Sequence, residues 1–189
     1  MPPKIKISKQ DIINTAVDFI RKEGVHSLNA RALASHIGCS TQPIFSNYQS
    51  METLKQDVIT AAYLLYQDFV ITETNSNQYP AYKASGIAYI RFAKEESELF
   101  KLLFMRDRSE EQTVSWDPVT ENVLELLQND AGFTLEQANR FHLEMWIFVH
   151  GIATMFATSF LSLDMDTVSG LISDAFVGLK KRYNIEEEN

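Results

Sequence analysis

Cysteine occurs once in this chain of 189 residues, as Cys39, and a single thiol excludes an internal disulfide and any Cys-rich metal site. A lone thiol fits a reducing cytosol, so the expected location is cytoplasmic. The first ten residues, MPPKIKISKQ, lack the apolar stretch of a secretory signal. Strand-like alternation, internal repeats and low-complexity tracts are missing as well. Formal charge is absent from Met145 to Leu163, nineteen residues, but His150, Gly151, Thr154, Thr158, Ser159 and Ser162 interrupt the run. A helix apolar nearly all round is buried in protein or in lipid. The polar interruptions, with no Lys or Arg directly beside the run, point to burial inside a helical assembly and to no membrane partner.

Catalytic equipment is equally sparse. The chain offers no nucleophile–base arrangement, no glycine-rich phosphate loop and no metal-ligand spacing, so no enzyme activity, metal or cofactor is expected. His142 and His150 stand eight residues apart, about 12 Å along a helix, too far to share a metal ion directly. His26 and His36 give one histidine per helix, which is not a metal site. Glu95, Glu96 and Glu98 read as a solvated face or an acidic helix start. Cys39 reads as a small apolar filler in a turn.

Basic charge is scarce overall, the formal net charge being −8, but it is unevenly spread. Residues 1–50 hold six basic residues (Lys4, Lys6, Lys9, Arg21, Lys22 and Arg31) against three acidic ones, a net +3 that leaves −11 for the remainder. A mildly basic head on an acidic body steers the head toward phosphate and keeps the body off it.

What is present is helical periodicity throughout, enough for about nine helices. Ser8 caps a first helix with Ile12, Ile13, Ala16, Val17, Phe19 and Ile20 as its buried stripe, and Gly24 closes it as a left-handed cap. Asn29 caps a second helix, stopped by Gly38, and Ser40 caps a short third one with Pro43 in its first turn. Ser50 caps a long fourth helix, and the tract TETNSNQYP at 72–80 breaks the chain. One or two amphipathic helices fill 81–106, a charged loop follows over 106–118, and then another helix through Leu127. Thr134 with Gln137 opens a long helix to about Ser162, Asp166 opens the last, and IEEEN is a tail.

Within this series the segment 29–48, NARALASHIGCSTQPIFSNY, carries the most chemistry. Two short helices joined by a tight turn, the second bearing Thr41, Gln42, Ser46 and Asn47 beside apolar anchors, suit the major groove of DNA. The stretch LNARALASHIGCSTQPIFSNYQSMETL at 28–54 resembles the helix-turn-helix of the TetR family of bacterial transcriptional regulators. The likeness runs in order through a polar cap, Arg with Ala-Leu-Ala, Gly at the turn, Ser at the next cap, aromatics at Phe45 and Tyr48, and Ser-x-Glu-x-Leu. Trp146 to Gly151 is similar to a Trp…His-Gly segment in the eighth helix of one branch. Three positions depart from the family pattern: Met51 and Phe45 replace a Lys and a Tyr that touch phosphate, and Gln42 replaces a frequent Gly.

The resemblance implies an all-α fold with a three-helix DNA-binding domain over 1–52, a ligand-binding and dimerisation bundle over 53–184 and a tail over 185–189. It implies that Thr41, Gln42 and Pro43, after the cap Ser40 (itself a DNA-binding candidate), open the recognition helix toward base edges, with Gln42 able to pair bidentately with adenine. Phe45, Ser46 and Asn47 would lie against the backbone and adjacent bases, and Asn29, Arg31 and Lys55 would contact phosphate. A homodimer through the last two helices, whose faces carry Ala153, Ala157, Gly170, Ser173 and Gly178, would present two such helices to a palindromic operator in double-stranded DNA. Phe92, Phe100, Phe104, Met105, Trp116, Phe141, Met145, Trp146 and His150 are the candidates for a cavity that accepts a small hydrophobic or aromatic ligand. The expected function is a repressor released by that ligand; the alternative is a DNA-binding or adaptor protein of the same fold without a ligand.

Overall fold

The computed structural model describes residues 7–107 and 118–185, and all secondary structure among them is helical. Nine α-helices follow in order: α1 Lys9–Glu23, α2 Ala30–Ile37, α3 Gln42–Asn47, α4 Met51–Asn75, α5 Ala81–Glu95, α6 Ser97–Phe104, α7 Pro118–Ala131, α8 Leu135–Ala157 and α9 Met165–Ile185. They divide into two compact units, one of Met1–Leu65 with Glu96–Arg106, the other of Tyr66–Glu95 with Asp107–Asn189.

In the first unit α1 packs on both α2 and α6. Its stripe of Ile12, Ala16, Val17, Phe19 and Ile20 is buried, as the spacing of apolar residues requires. Ser8 and Asp11 form a reciprocal capping box at its start. Gly24 ends it with φ 77° and ψ 159°. That is not the left-handed cap expected, but a region open to glycine almost alone, and a Cβ there would stand 3.0 Å from Glu98 Oε2. A single 3₁₀ turn, Val25–Ser27, follows and leads into α2. Arg21 binds α6 through two bonds to Glu96, from Nε at 2.8 Å and from Nη2 at 2.7 Å.

The second unit is built around α5, which touches α7, α8 and α9. Ala84, Ile87, Ala88, Tyr89, Ile90, Phe92 and Ala93 are all buried, so this helix is enclosed on nearly every side. α4 runs four residues into the tract 72–80 before the chain turns, because Glu73 has a use there: its carboxylate is buried and takes Arg91 Nη1 at 2.7 Å. The Thr134–Gln137 capping box opens α8 as expected, but the helix stops at Ala157, where Thr158 and the positive φ of Ser159 turn the chain. α9 starts from Asp164, not Asp166: the Asp164 carboxylate accepts the Thr167 N–H at 2.8 Å and its carbonyl accepts the Val168 N–H. The charged loop and the last tail residues fall at 108–117 and 186–189, outside the described residues.

The charge-free run is not buried all round. One face of α8 (Phe141, Met145, Val149, Ile152 and Phe156) enters the core, while Leu143, Ile147, Phe148 and Met155 are exposed. Among the described residues no helix is long and apolar enough to cross a membrane.

Candidate functional site

The helix-turn-helix is assembled by local chemistry. Asn29 Oδ1 accepts the N–H groups of Arg31 and Ala32, which satisfies two of the orphan donors at the start of α2, and its Nδ2 donates to the Ser27 carbonyl at 3.1 Å. Leu33 and Ala34 seat the helix in the core. Gly38 ends it in the left-handed region (φ 80°, ψ 32°), and the Cys39 N–H reaches back to the Ala34 carbonyl at 2.9 Å. A Cβ at Gly38 would meet open space, so it is the backbone conformation that calls for glycine there. Cys39 is half-buried and its thiol donates to the Ser40 carbonyl.

The third helix starts one residue later than the sequence suggests. Thr41 occupies the capping position with helical dihedrals and makes no side-chain capping bond, and Ser40 lies outside, exposed. Pro43 at the second helical position leaves no N–H to satisfy, which offsets the missing cap. Such a short helix has little stability of its own and depends on two buried anchors, Ile44 at 0% and Tyr48 at 2% exposure. The Tyr48 hydroxyl donates to Asp57 Oδ2 at 3.1 Å, and Lys9 Nζ reaches the same oxygen at 2.6 Å while standing over the Tyr48 ring. Lys9, helped by the tyrosine hydroxyl, holds the Asp57 carboxyl below the usual carboxylate range. Burial first, and the bond to Asp57 second, push the Tyr48 phenol well up. This triad fixes the end of α3 against α1 and α4.

With Ile44 turned inward, Gln42, Phe45, Ser46 and Asn47 face solvent, and Phe45 keeps 51% of its surface exposed. Ser46 and Asn47 spend a donor each on carbonyls one turn back, those of Gln42 and Pro43, both at 2.8 Å. Gln42 and Phe45 therefore project furthest from their own helix, with Thr41 and Pro43 half-buried at its start. Arg31 is exposed in the first turn of α2, and Lys55 is half-buried in the first turns of α4. All ten candidate contact residues belong to the first unit.

The candidate cavity residues are distributed otherwise. Phe100 is fully buried in α6, in the first unit, its ring 5.1 Å from that of Phe104; Met105, next along, is exposed. Phe92, Phe141 and Met145 are core residues of the second unit, where Phe141 packs against Phe133, Phe176 and Tyr183. Trp146 stacks on His150 at 4.8 Å, and the Tyr89 hydroxyl lies 2.9 Å from His150 Nδ1. Burial holds the His150 imidazole below its ordinary pKa. Trp116 lies outside the described residues.

Two concavities formed by described residues of the second unit are lined by other side chains. The larger, of about 330 Å³, opens between α4, α5 and α7. Its apolar wall is Val70, Ile71, Val123 and Leu126; its polar positions are Gln67, Thr74, Asn75, Ser85 and Asn122. In the sequence Gln67, Val70 and Ile71 look like ordinary amphipathic helix, as do Asn122, Val123 and Leu126, while Thr74 and Asn75 belong to the polar tract that reads as a break. Only the convergence of three helices makes them a lining. A few polar groups on an apolar cleft of this size is the usual make-up of a small-molecule site. Among the described residues no group of three or more metal-ligating side chains occurs.

A comparison with curated proteins gives no match. Residues 82–172, which span α5 to the first half of α9, match the family described as tetracyclin repressor-like, C-terminal domain. That match covers just under half of the chain and, with an all-helical architecture carrying a helix-turn-helix ahead of it, supports a TetR family regulator.

Proposed function

We propose that the protein is a sequence-specific DNA-binding regulator that acts as a homodimer and leaves its operator when a small ligand occupies the second unit. The observation that carries the DNA-binding part is the outward face of α3, where Gln42 and Phe45 project from a helix anchored by Ile44 and Tyr48. Gln42, with Thr41 and Pro43, reads base edges; its carboxamide pairs bidentately with adenine, and Pro43 and Thr41 pack on thymine methyls. Phe45, Ser46, Asn47 and Ser40 lie along the adjoining backbone, while Arg31, Lys55 and the remaining Asn29 amide proton set the register on phosphate.

Two helices of a dimer meet successive major-groove turns only if the protomers join through a face that is otherwise open. Support comes from α8 and α9: Leu143, Ile147 and Met155 on one and Leu171 and Val177 on the other are exposed apolar residues. The cavity between α4, α5 and α7 supports a ligand of mixed character, with an apolar body and a few hydrogen-bonding atoms. Ligand and operator then weaken each other's binding by the same factor.

The test is selection of bound sequences from a random DNA pool with the purified protein, repeated with Gln42→Ala. Enrichment of one palindrome with half-sites about one helical turn apart is expected, and Gln42→Ala relaxes the preference at one position of each half-site. Failure to enrich any sequence at moderate salt, or an unchanged preference in the variant, overturns the assignment of α3.

A further inference from the structure

A second concavity, of about 180 Å³, lies between the start of α5 and the middle of α9 in the second unit. Pro80, Tyr82, Ile172, Phe176 and Val177 make its walls. Lys83 and Ser173 supply its donors, since the Tyr82 hydroxyl is engaged by His142 Nδ1 at 3.3 Å. Lys83 Nζ donates to Ser173 Oγ at 2.8 Å and stands 4.9 Å from the centre of the Tyr79 ring. No carboxylate pairs with this ammonium among the described residues. Lysine has three protons, of which Ser173 takes one, and Ser173, as acceptor of that bond, keeps its own O–H proton to give. Two donors thus stand side by side at the edge of an apolar cleft, spaced as the two oxygens of one carboxylate would need.

We propose that this cleft binds a small carboxylate bearing an apolar tail about the size of one ring. Charge decides the head group: a charge-assisted bond to Lys83 is roughly twice as strong as a neutral one, and the walls give a phosphate or sugar nothing further to bond. Volume decides the tail, since an apolar cavity of about 150 Å³ already accepts benzene. The acidic surplus of the body does not cancel the attraction. Carboxylates more than about 8 Å away are largely screened at physiological salt, and Asp174, beside Ser173 in the chain, forms no ion pair with Lys83 among the described residues, so Lys83 acts on a ligand at contact distance.

The site is separate from the cavity between α4, α5 and α7, with which it shares no lining residue. It is tested on the full chain with methyl-labelled isoleucine, leucine and valine, titrated with phenylacetate and with its uncharged isostere phenylacetamide. Saturable shifts of the Ile172 and Val177 methyl signals are expected with phenylacetate. Phenylacetamide, and phenylacetate on Lys83→Met, are expected to bind at least about tenfold more weakly, while Lys83→Arg retains binding. Equal affinity for the two probes overturns the proposal, as does undiminished binding by Lys83→Met. Shifts confined to Val123 and Leu126 would place the probe in the other cavity and also refute it. So would movement of the buried Ile172 methyl signal on dilution without probe, because a second copy would then be filling the cleft; Val177, exposed on the outer face of α9, moving alone reports only self-association.

Discussion

Replacing Arg91 with methionine should destabilise the second unit by about 2–4 kcal/mol at neutral pH, with a deficit that shrinks in mild acid. Burial is the starting point: the Glu73 side chain is 5% exposed and that of Arg91 40%. The 2.7 Å bond from Nη1 satisfies the carboxylate, while Arg91 Nε and Nη2 turn outward to Glu95 Oε1, each at 3.1 Å. Removing one partner of a buried pair leaves an uncompensated charge, a loss of about 3–5 kcal/mol when both partners are deeply buried. The partly solvated guanidinium makes the pair weaker than that limit, hence the lower range. Glu73→Gln, which keeps a hydrogen-bonding group without a stranded charge, should lose only about 1 kcal/mol. The double variant should resemble Glu73→Gln, giving a coupling of about 2–4 kcal/mol in magnitude. Urea unfolding of the four proteins at pH 7 and pH 5 measures these differences. In Arg91→Met the stranded carboxyl escapes by holding a proton in the folded state, so its folded pKa rises above the unfolded value. The deficit then grows as pH rises and fades as pH falls. A loss below about 1 kcal/mol at both pH values, or one that ignores pH, refutes the reasoning. The pair also bears on ligand binding, because Val70, Ile71 and Thr74 beside Glu73 line the cavity, and cavity ligands should bind Arg91→Met more weakly.

Three further outcomes follow from single contacts. Asn29→Ala removes the acceptor for two N–H groups of α2 and should lower the stability of the first unit by about 1 kcal/mol, with Asn29→Ser recovering most of it in thermal unfolding. His150, held neutral by burial, contributes stability that is full above about pH 6.5 and is lost as pH falls toward its lowered folded pKa. His150→Gln should flatten the pH 5–7 portion of the stability profile, and an unchanged slope would assign that region to other groups. Ile147→Glu, at an exposed position of α8, should abolish self-association in sedimentation without lowering helix content; a variant that stays dimeric would move the interface elsewhere.

Local features were the legible ones. The caps of α1, α2 and α8 were readable because a capping residue and the N–H donors it satisfies lie within three positions of each other. The same reasoning slipped by one residue at Thr41 and by two at Asp164, where several neighbouring residues have capping chemistry and only the path of the chain chooses among them. Packing partners were not legible. Nothing in the spacing of Phe100 or Leu103 says that α6 packs on α1, or that Glu73, in a polar tract, is needed by Arg91 eighteen residues on. The aromatic residues illustrate the same limit: Phe141 finds partner rings in Phe133, Phe176 and Tyr183, so composition that suits a ligand cavity is consumed by the core.

Small residues on the last two helices divide once their surroundings are known, and the division bears on assembly. Ala153 and Ala157 are 0% and 2% exposed, so they serve close packing within the chain. Gly170 and Gly178 differ: a Cβ at either would meet nothing within 4 Å, although each costs its helix about 1 kcal/mol relative to alanine. Internal packing gives no reason to bear that penalty twice on one helix. Gly170, Leu171, Asp174, Val177 and Gly178 fall on one side of α9, exposed together, at spacings of three and four. A second copy of the helix pair could approach closely there, bringing Leu171 and Val177 out of water at the same time. Two glycines kept on an exposed helix face are accounted for if that face is closed by a partner, and the Ile147→Glu and dilution measurements bear on that closure from α8 and α9 separately.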